Sequence, residues 1–278
     1  MDYNLNGKTF LITGITDKAS LALPVAKHIL SLGGKLVCTA LGLTAHHDNL
    51  SDKAKEYLTK TYNDFKVAVN EELGSSVITY PLDVTLDGSI TDFGKALQKD
   101  GIQLDGYLHS IAMDKTIRAG VVKPLIEVTR DEFMGAMDVS AYSLISLSRA
   151  LLESSVLKKG SSIAAFSYLG AEKIVVHPYK NIGVAKAALE RIVFELAFEL
   201  GKSHQIRVNA IRFSPYTASK AGGAIQGLGE AVAYCNEASP LGNALPNDLA
   251  LEAVYLLCHA GRITGEIRHV DGGYHIRG

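Results

Sequence analysis

Short aliphatic runs alternate with longer amphipathic stretches along the whole of this chain, and few architectures accommodate that rhythm. The runs cover residues 9–13, 35–39, 77–80, 106–110, 162–166, 207–212 and 266–270. Each is rich in aliphatic or β-branched residues and lacks strict polar alternation, as strands covered on both faces do. Between them, residues 21–32, 89–99, 130–157, 181–200 and 246–259 carry apolar residues at helical spacing. Strands separated by helices pair in parallel through right-handed crossovers. The pattern therefore predicts an α/β fold, a doubly wound parallel sheet of the Rossmann type flanked by helices. With 278 residues, 47% of them hydrophobic, the chain reads as one domain, 1–278, built on one substantial core.

Two segments break the rhythm. Residues 42–73 open as a loop and continue with Ala54, Leu58, Tyr62, Phe65, Val69 and Leu73, a helical stripe suited to core packing. Residues 214–245 are rich in Gly, Ala and Ser and follow a strand end. Their length and position predict a small helical lid over a ligand.

Charge and cysteine content exclude several classes. With 28 basic and 29 acidic residues, net charge is −1, so nothing global draws the chain to nucleic acid or an anionic membrane. Cys38, Cys235 and Cys258 are far apart and odd in number, which fits reduced thiols in a cytoplasmic protein. His46 and His47 are adjacent, awkward for joint chelation, and read as solvated loop residues, so no metal is expected. Neither a signal peptide nor a membrane span is expected.

Ligands of doubly wound sheets bind beyond the carboxyl ends of the strands. There the first run ends in Thr13-Gly14-Ile15 and leads through Ser20 and Leu21 into a helix. A glycine lets the backbone bend beside a pyrophosphate, and the helix start offers amide donors. The three-glycine pattern is broken, with Lys18 and Ser20 in place of the later glycines. Asp83 and Val84 follow the third run, where a carboxylate and an amide can hold an adenine edge. Ser110 and Ile111 close the fourth, where small residues let a dinucleotide pass. Pro215 and Thr217 follow the sixth, a perch for a nicotinamide carboxamide. After the second run, Thr39-Ala40-Leu41-Gly42-Leu43 contains no arginine or lysine. That argues against a 2′-phosphate and for NADH.

Tyr179 and Lys186 sit seven residues apart. On an ideal helix that is about 700°, within ~20° of two full turns, so phenol and ammonium share a face. A phenol that polarises a carbonyl, beside a lysine that holds a cofactor sugar, is a working pair for nicotinamide chemistry.

Taken together, these residues resemble the enoyl-[acyl-carrier-protein] reductases of the divergent short-chain dehydrogenase group. The likeness runs through Thr13-Gly14, Asp83-Val84, His109-Ser110-Ile111, Ser140-Ala141-Tyr142-Ser143, Ser167-Tyr168-Leu169-Gly170 and Tyr179 to Lys186. It continues through Arg207-Val208-Asn209-Ala210-Ile211 to Val270-Asp271-Gly272-Gly273. Ketoreductases of the wider group place the lysine four residues after the tyrosine, not seven as here.

The resemblance implies NADH-dependent reduction of the trans-2 double bond of an acyl thioester on acyl carrier protein, in type II fatty-acid synthesis. It implies that Tyr179 bonds the developing enolate and that Lys186 holds the nicotinamide ribose and lowers the phenol's proton affinity. It implies that Tyr168 lines the acyl pocket near the thioester and, as a third catalytic residue, helps deliver a proton. It also implies a homotetramer formed partly by helices 130–157 and 181–200, with Lys220 or Arg118 guiding the acidic carrier. Another short-chain reductase, acting on a 3-oxoacyl or enone substrate, and a non-catalytic NAD-binding regulator are the alternatives. Asp114 departs from the family pattern, which has a small or apolar residue near the thioester. A carboxylate there is costly if buried, so it either points to solvent or binds a polar substrate group.

Overall fold

Strands that are apolar on both faces need cover on both faces. In a computed structural model of the chain, which describes residues 4–118, 122–218 and 227–277, they obtain it as one parallel sheet. The strands are β1 (Thr9–Thr13), β2 (Lys35–Ala40), β3 (Ile78–Pro81), β4 (Leu104–His109), β5 (Leu157–Tyr168), β6 (Arg207–Phe213) and β7 (Ile267–Val270). Their spatial order is β3-β2-β1-β4-β5-β6-β7, and every neighbouring pair is parallel. The helices are α1 (Ala22–Ser31), α2 (Asp52–Leu73), α3 (Asp87–Lys99), α4 (Lys115–Arg118), α5 (Arg130–Met137), α6 (Ser143–Glu153), α7 (Lys180–His204), α8 (Leu228–Ala238) and α9 (Pro246–Val254).

Side chains alternate across each strand, so a single apolar run feeds two cores. Phe10 and Ile12 face α1 and α9, packing with Val25, Ile29, Leu249 and Ala253. Leu11 points the other way, into a cluster with Leu97 of α3, Leu147 of α6 and Val193 of α7. Each such side chain contributes roughly 1.5–3 kcal/mol by leaving water. The stripe on α2 behaves as its spacing predicts, with Phe65, Val69 and Leu73 joining the first core.

Two expected helices differ at their ends. The stretch expected at 130–157 starts at a capping box between Thr129 and Glu132 and stays helical only to Glu153. It passes through a wide π turn at Asp138–Tyr142. Ser155 then takes φ 55, and Leu157 begins β5 instead. Tyr179 is the N-cap of α7 rather than a residue within it, and Lys180 holds φ 20. The two-turn arithmetic therefore applies from residue 180 onward, and the tyrosine is placed by packing. Among the described residues no helix is long and apolar enough to cross a membrane.

Candidate active site

Strand order reverses between β1 and β4, which opens a crevice at their carboxyl ends. Gly14 sits at its floor with φ 79, and a Cβ there would lie 1.8 Å from the Ser110 carbonyl oxygen. Only glycine allows the two strand ends to approach so closely. Thr13 ties them together: its hydroxyl accepts from the Ser110 amide at 3.0 Å and donates to the Leu108 carbonyl at 2.9 Å. Ile15 is buried at the same turn. Leu21 is the N-cap of α1 and offers no side-chain cap; the Leu23 amide donates to the Ser20 carbonyl at 3.0 Å and Pro24 has no N–H, so this helix start has few amides to offer a ligand.

Ser20 is buried, and its hydroxyl accepts from the amides of Thr16 at 2.9 Å and Asp17 at 3.0 Å. It thus knits the turn in place of the missing glycines. Asp83 is equally occupied. One carboxylate oxygen accepts from the Thr85 amide and hydroxyl, and the other lies 3.1 Å from His47 Nε2. The Thr44 amide donates to His47 Nδ1 at 3.0 Å, so Nε2 carries the proton and donates to Asp83. The expectation of two solvated histidines therefore holds for His46, which is exposed, and fails for His47, which is 7% exposed. Val84 is half-buried beside Asp83. Pro215 is buried after β6 and Thr217 is exposed. These residues fit a dinucleotide: the crevice floor has no side chain, and its walls are held by bonds within the chain.

Lys186 is 4% exposed, and its ammonium donates to the Phe166 carbonyl at 2.9 Å and the Ile111 carbonyl at 3.3 Å. It bridges the ends of β4 and β5. Burial pulls its pKa down to about 8, against the pull of Glu190. Tyr179 packs on Gly170, where a Cβ would meet its ring at 2.3 Å. Tyr168, at the end of β5, meets the Tyr179 ring edge-on with centroids 4.8 Å apart. Burial, then Glu190 and Asp114, push the Tyr179 pKa up. In the free protein the phenol's proton affinity is thus raised, and the group stands ready as a donor. Asp114 is 4% exposed, which removes the solvent-facing alternative.

Several residues at this site carry roles that sequence reasoning did not give them. His177 is 3% exposed, with its ring 5.3 Å from Tyr168 and 5.8 Å from Tyr179. Glu190, one turn after Lys186, accepts two bonds from Arg212, at 2.8 and 2.5 Å, and one from Ser167 at 2.6 Å. The i, i+4 spacing of Lys186 and Glu190 was a readable signal; Arg212 carried none. His269, Asp271 and His275 bring ligand atoms within 4.8 Å of one another. However, Arg212 Nη1 lies 3.2 Å from His269 Nε2, which makes that nitrogen the acceptor and puts the proton on Nδ1. Nδ1 faces Asp271 at 3.5 Å, so a proton occupies the position a cation would need.

Of the segment 214–245, residues 219–226 lie outside the described residues, Lys220 among them, and only the backbone of Arg118 is described. Beyond α8, the Leu241 amide donates to the Gly272 carbonyl at 3.0 Å. A Cβ on Gly272 would fall 1.7 Å from the Gly242 oxygen.

Fold and crevice define a reductase of the short-chain, dinucleotide-binding class. The model of the family described as Enoyl-(Acyl carrier protein) reductase matches residues 14–275, and the chain belongs to that family. It is 35% identical to the enoyl-[acyl-carrier-protein] reductase [NADH] FabI of Aquifex aeolicus (strain VF5), over 99% of this chain and 93% of that protein. It is 34% identical to the enoyl-[acyl-carrier-protein] reductase [NADPH] FabI of Staphylococcus aureus (strain NCTC 8325 / PS 47), over 98% of each. Among solved structures, the Bacillus cereus enoyl-acyl carrier protein reductase with NADP+ and indole naphthyridinone superposes with a TM-score of 0.84 at 30% identity. That match covers 99% of this chain and 98% of the other. The FabI–NADH complex from Alistipes finegoldii gives 0.82 at 26% identity, over 99% and 90%.

Proposed function

We propose that this protein reduces the trans-2 double bond of an enoyl thioester carried on acyl carrier protein, in type II fatty-acid synthesis. The observation that carries the reading is the Tyr168–Tyr179 pair beside the buried Lys186 at the switch-point crevice of a chain in this family. NADH, when bound, supplies a hydride to the β-carbon of the substrate. Negative charge then moves to the thioester oxygen, and Tyr179 donates a hydrogen bond to it, a contact that strengthens toward the transition state. The raised pKa keeps that proton on the phenol. Lys186 fixes the ribose side of the site through a buried, pre-aimed ammonium. Tyr168 walls the acyl pocket and excludes water from the enolate.

Gly14, Ile15, Ser20, Leu21, Asp83, Val84, Ser110, Ile111, Pro215 and Thr217 are assigned to the dinucleotide. Ser20 and Asp83 act by holding their loops. The lack of a cationic side chain at 39–43 supports NADH over NADPH. The chain acts as one domain with residues 214–245 as the lid, in the cytoplasm. Exposed Phe194 and Phe198 on α7 and Met134 on α5 support a homotetramer; light scattering that gives a monomer at micromolar concentration refutes that part.

The test is NADH oxidation in the presence of crotonyl and longer enoyl thioesters. Turnover with NADH at a lower KM than with NADPH is expected. No turnover with any enoyl thioester, or turnover of 3-oxoacyl thioesters alone, overturns the reading.

A further inference from the structure

Asp114 is a buried carboxylate that does only half its bonding. Its Oδ1 accepts from the Thr116 amide at 2.9 Å and the Thr116 hydroxyl at 2.8 Å, a turn that opens α4. Its Oδ2 is buried and has no partner among the described residues. A serine or threonine would cap the same turn without burying a second acceptor, so the cap does not account for a carboxylate. Leaving such an oxygen dry and unbonded is costly.

The surroundings of Asp114 are those of Tyr179. The charge of Asp114 is felt at the phenol, behind burial and Glu190. Met113, just before it, is clasped at both its amide and its carbonyl by the Ser140 hydroxyl. Ile117, three residues further on, packs in the cluster that receives the Tyr179 ring. Two further buried polar atoms without partners among the described residues, His177 Nδ1 and Asn181 Oδ1, belong to residues within two positions of Tyr179.

We propose that Asp114 Oδ2 is a recognition group that accepts a hydrogen bond from an N–H or O–H of the substrate close to its thioester. The proposal rests on the enoyl-thioester reading above. Two parts of such a substrate carry that donor: a hydroxyl on the acyl chain beside the double bond, or the amide of the pantetheine arm. A plain hydrocarbon chain on a thiol without an amide offers neither. It leaves a bare carboxylate near the enolate that Tyr179 must stabilise, so the mismatch grows toward the transition state and discrimination appears in kcat/KM.

Asp114→Asn tests this, because it keeps Oδ1 for Thr116 and replaces Oδ2 with a donor. Asp114→Ser, which caps with one oxygen, is the second variant should the first fold poorly. Crotonyl-N-acetylcysteamine, its 4-hydroxycrotonyl counterpart and crotonyl-ethanethiol are compared as substrates with NADH. The wild type is expected to favour a donor-bearing thioester over the ethanethiol one by roughly 10- to 100-fold, and the variants to lose about tenfold of that preference. Preference for the hydroxylated chain assigns the donor to the acyl group; preference for the amide thiol alone assigns it to the carrier arm. Identical ratios in wild type and variants overturn the proposal. Absence of all turnover overturns the functional reading instead. Calorimetric binding of saturated 4-hydroxybutyryl and butyryl thioesters to the NADH complex then judges Asp114 by whether the variants change the affinity ratio.

Discussion

The two flanks of the crevice treat buried polar groups in opposite ways. On the cofactor flank, Thr13, Ser20, Asp83 and His47 spend their hydrogen bonds inside the chain. On the flank proposed for substrate, Asp114 Oδ2, His177 Nδ1 and Asn181 Oδ1 are buried and have no partner among the described residues. The first flank is thereby shaped before any ligand arrives and presents mainly backbone. The second holds polar capacity in reserve, at a cost to stability that a binding site tolerates and a core does not.

Removing the phenol should break the contrast most sharply. Tyr179→Phe is expected to lower kcat/KM for enoyl thioesters about 10²- to 10³-fold while NADH affinity stays within about twofold. An equal loss of NADH binding, read by fluorescence titration, would show that the flanks do not act separately. Gly14→Ala attacks the other flank. Its Cβ would press on the Ser110 oxygen at a positive φ, so a loss of roughly 2–4 kcal/mol in unfolding free energy is expected, with NADH binding weakened first.

Acid should probe His109, whose Nε2 is 2.8 Å from the Ser143 hydroxyl and whose pKa burial brings down to about 3. Below the ordinary value of 6.5, unfolded His109 takes up a proton that the folded protein refuses until about pH 3. Stability therefore falls as pH drops through that window, by about 2 kcal/mol at about pH 5. Urea midpoints should fall less between neutral pH and about pH 5 for His109→Gln than for wild type. The smallest effect belongs to His47→Ala: about 1–2 kcal/mol of stability and a several-fold rise in KM for NADH as Asp83 loses its partner. An unchanged KM would mean that Asp83 is held without it.

The sheet was legible because each strand repeats the same local signal, a short aliphatic run closed by a turn. The cofactor flank was legible for a related reason: its residues follow strand ends in a fixed order, so position in sequence implies position in space. His47 escaped because its partner Asp83 lies a whole strand and helix away. Glu190 and Arg212 escaped because a buried ion pair leaves no periodicity. Burial of the phenol leaves no mark in a single sequence, so the rise in its proton affinity shows only in the structure. Asp114 was marked as out of place from sequence alone, but only the structure shows that one of its oxygens is occupied and the other idle.

Gly272 has a practical consequence for anyone attaching cargo to this enzyme. Its carbonyl holds Leu241 and its missing side chain admits Gly242, so a label attached at Tyr274 would sit against α8, whose Tyr234 ring lies 6.3 Å away. Leu5 and Lys8 instead bond to Leu32 and Lys35 at the amino edge of the sheet, on the side away from the crevice. Fluorophores belong on that edge, at exposed residues such as Lys8.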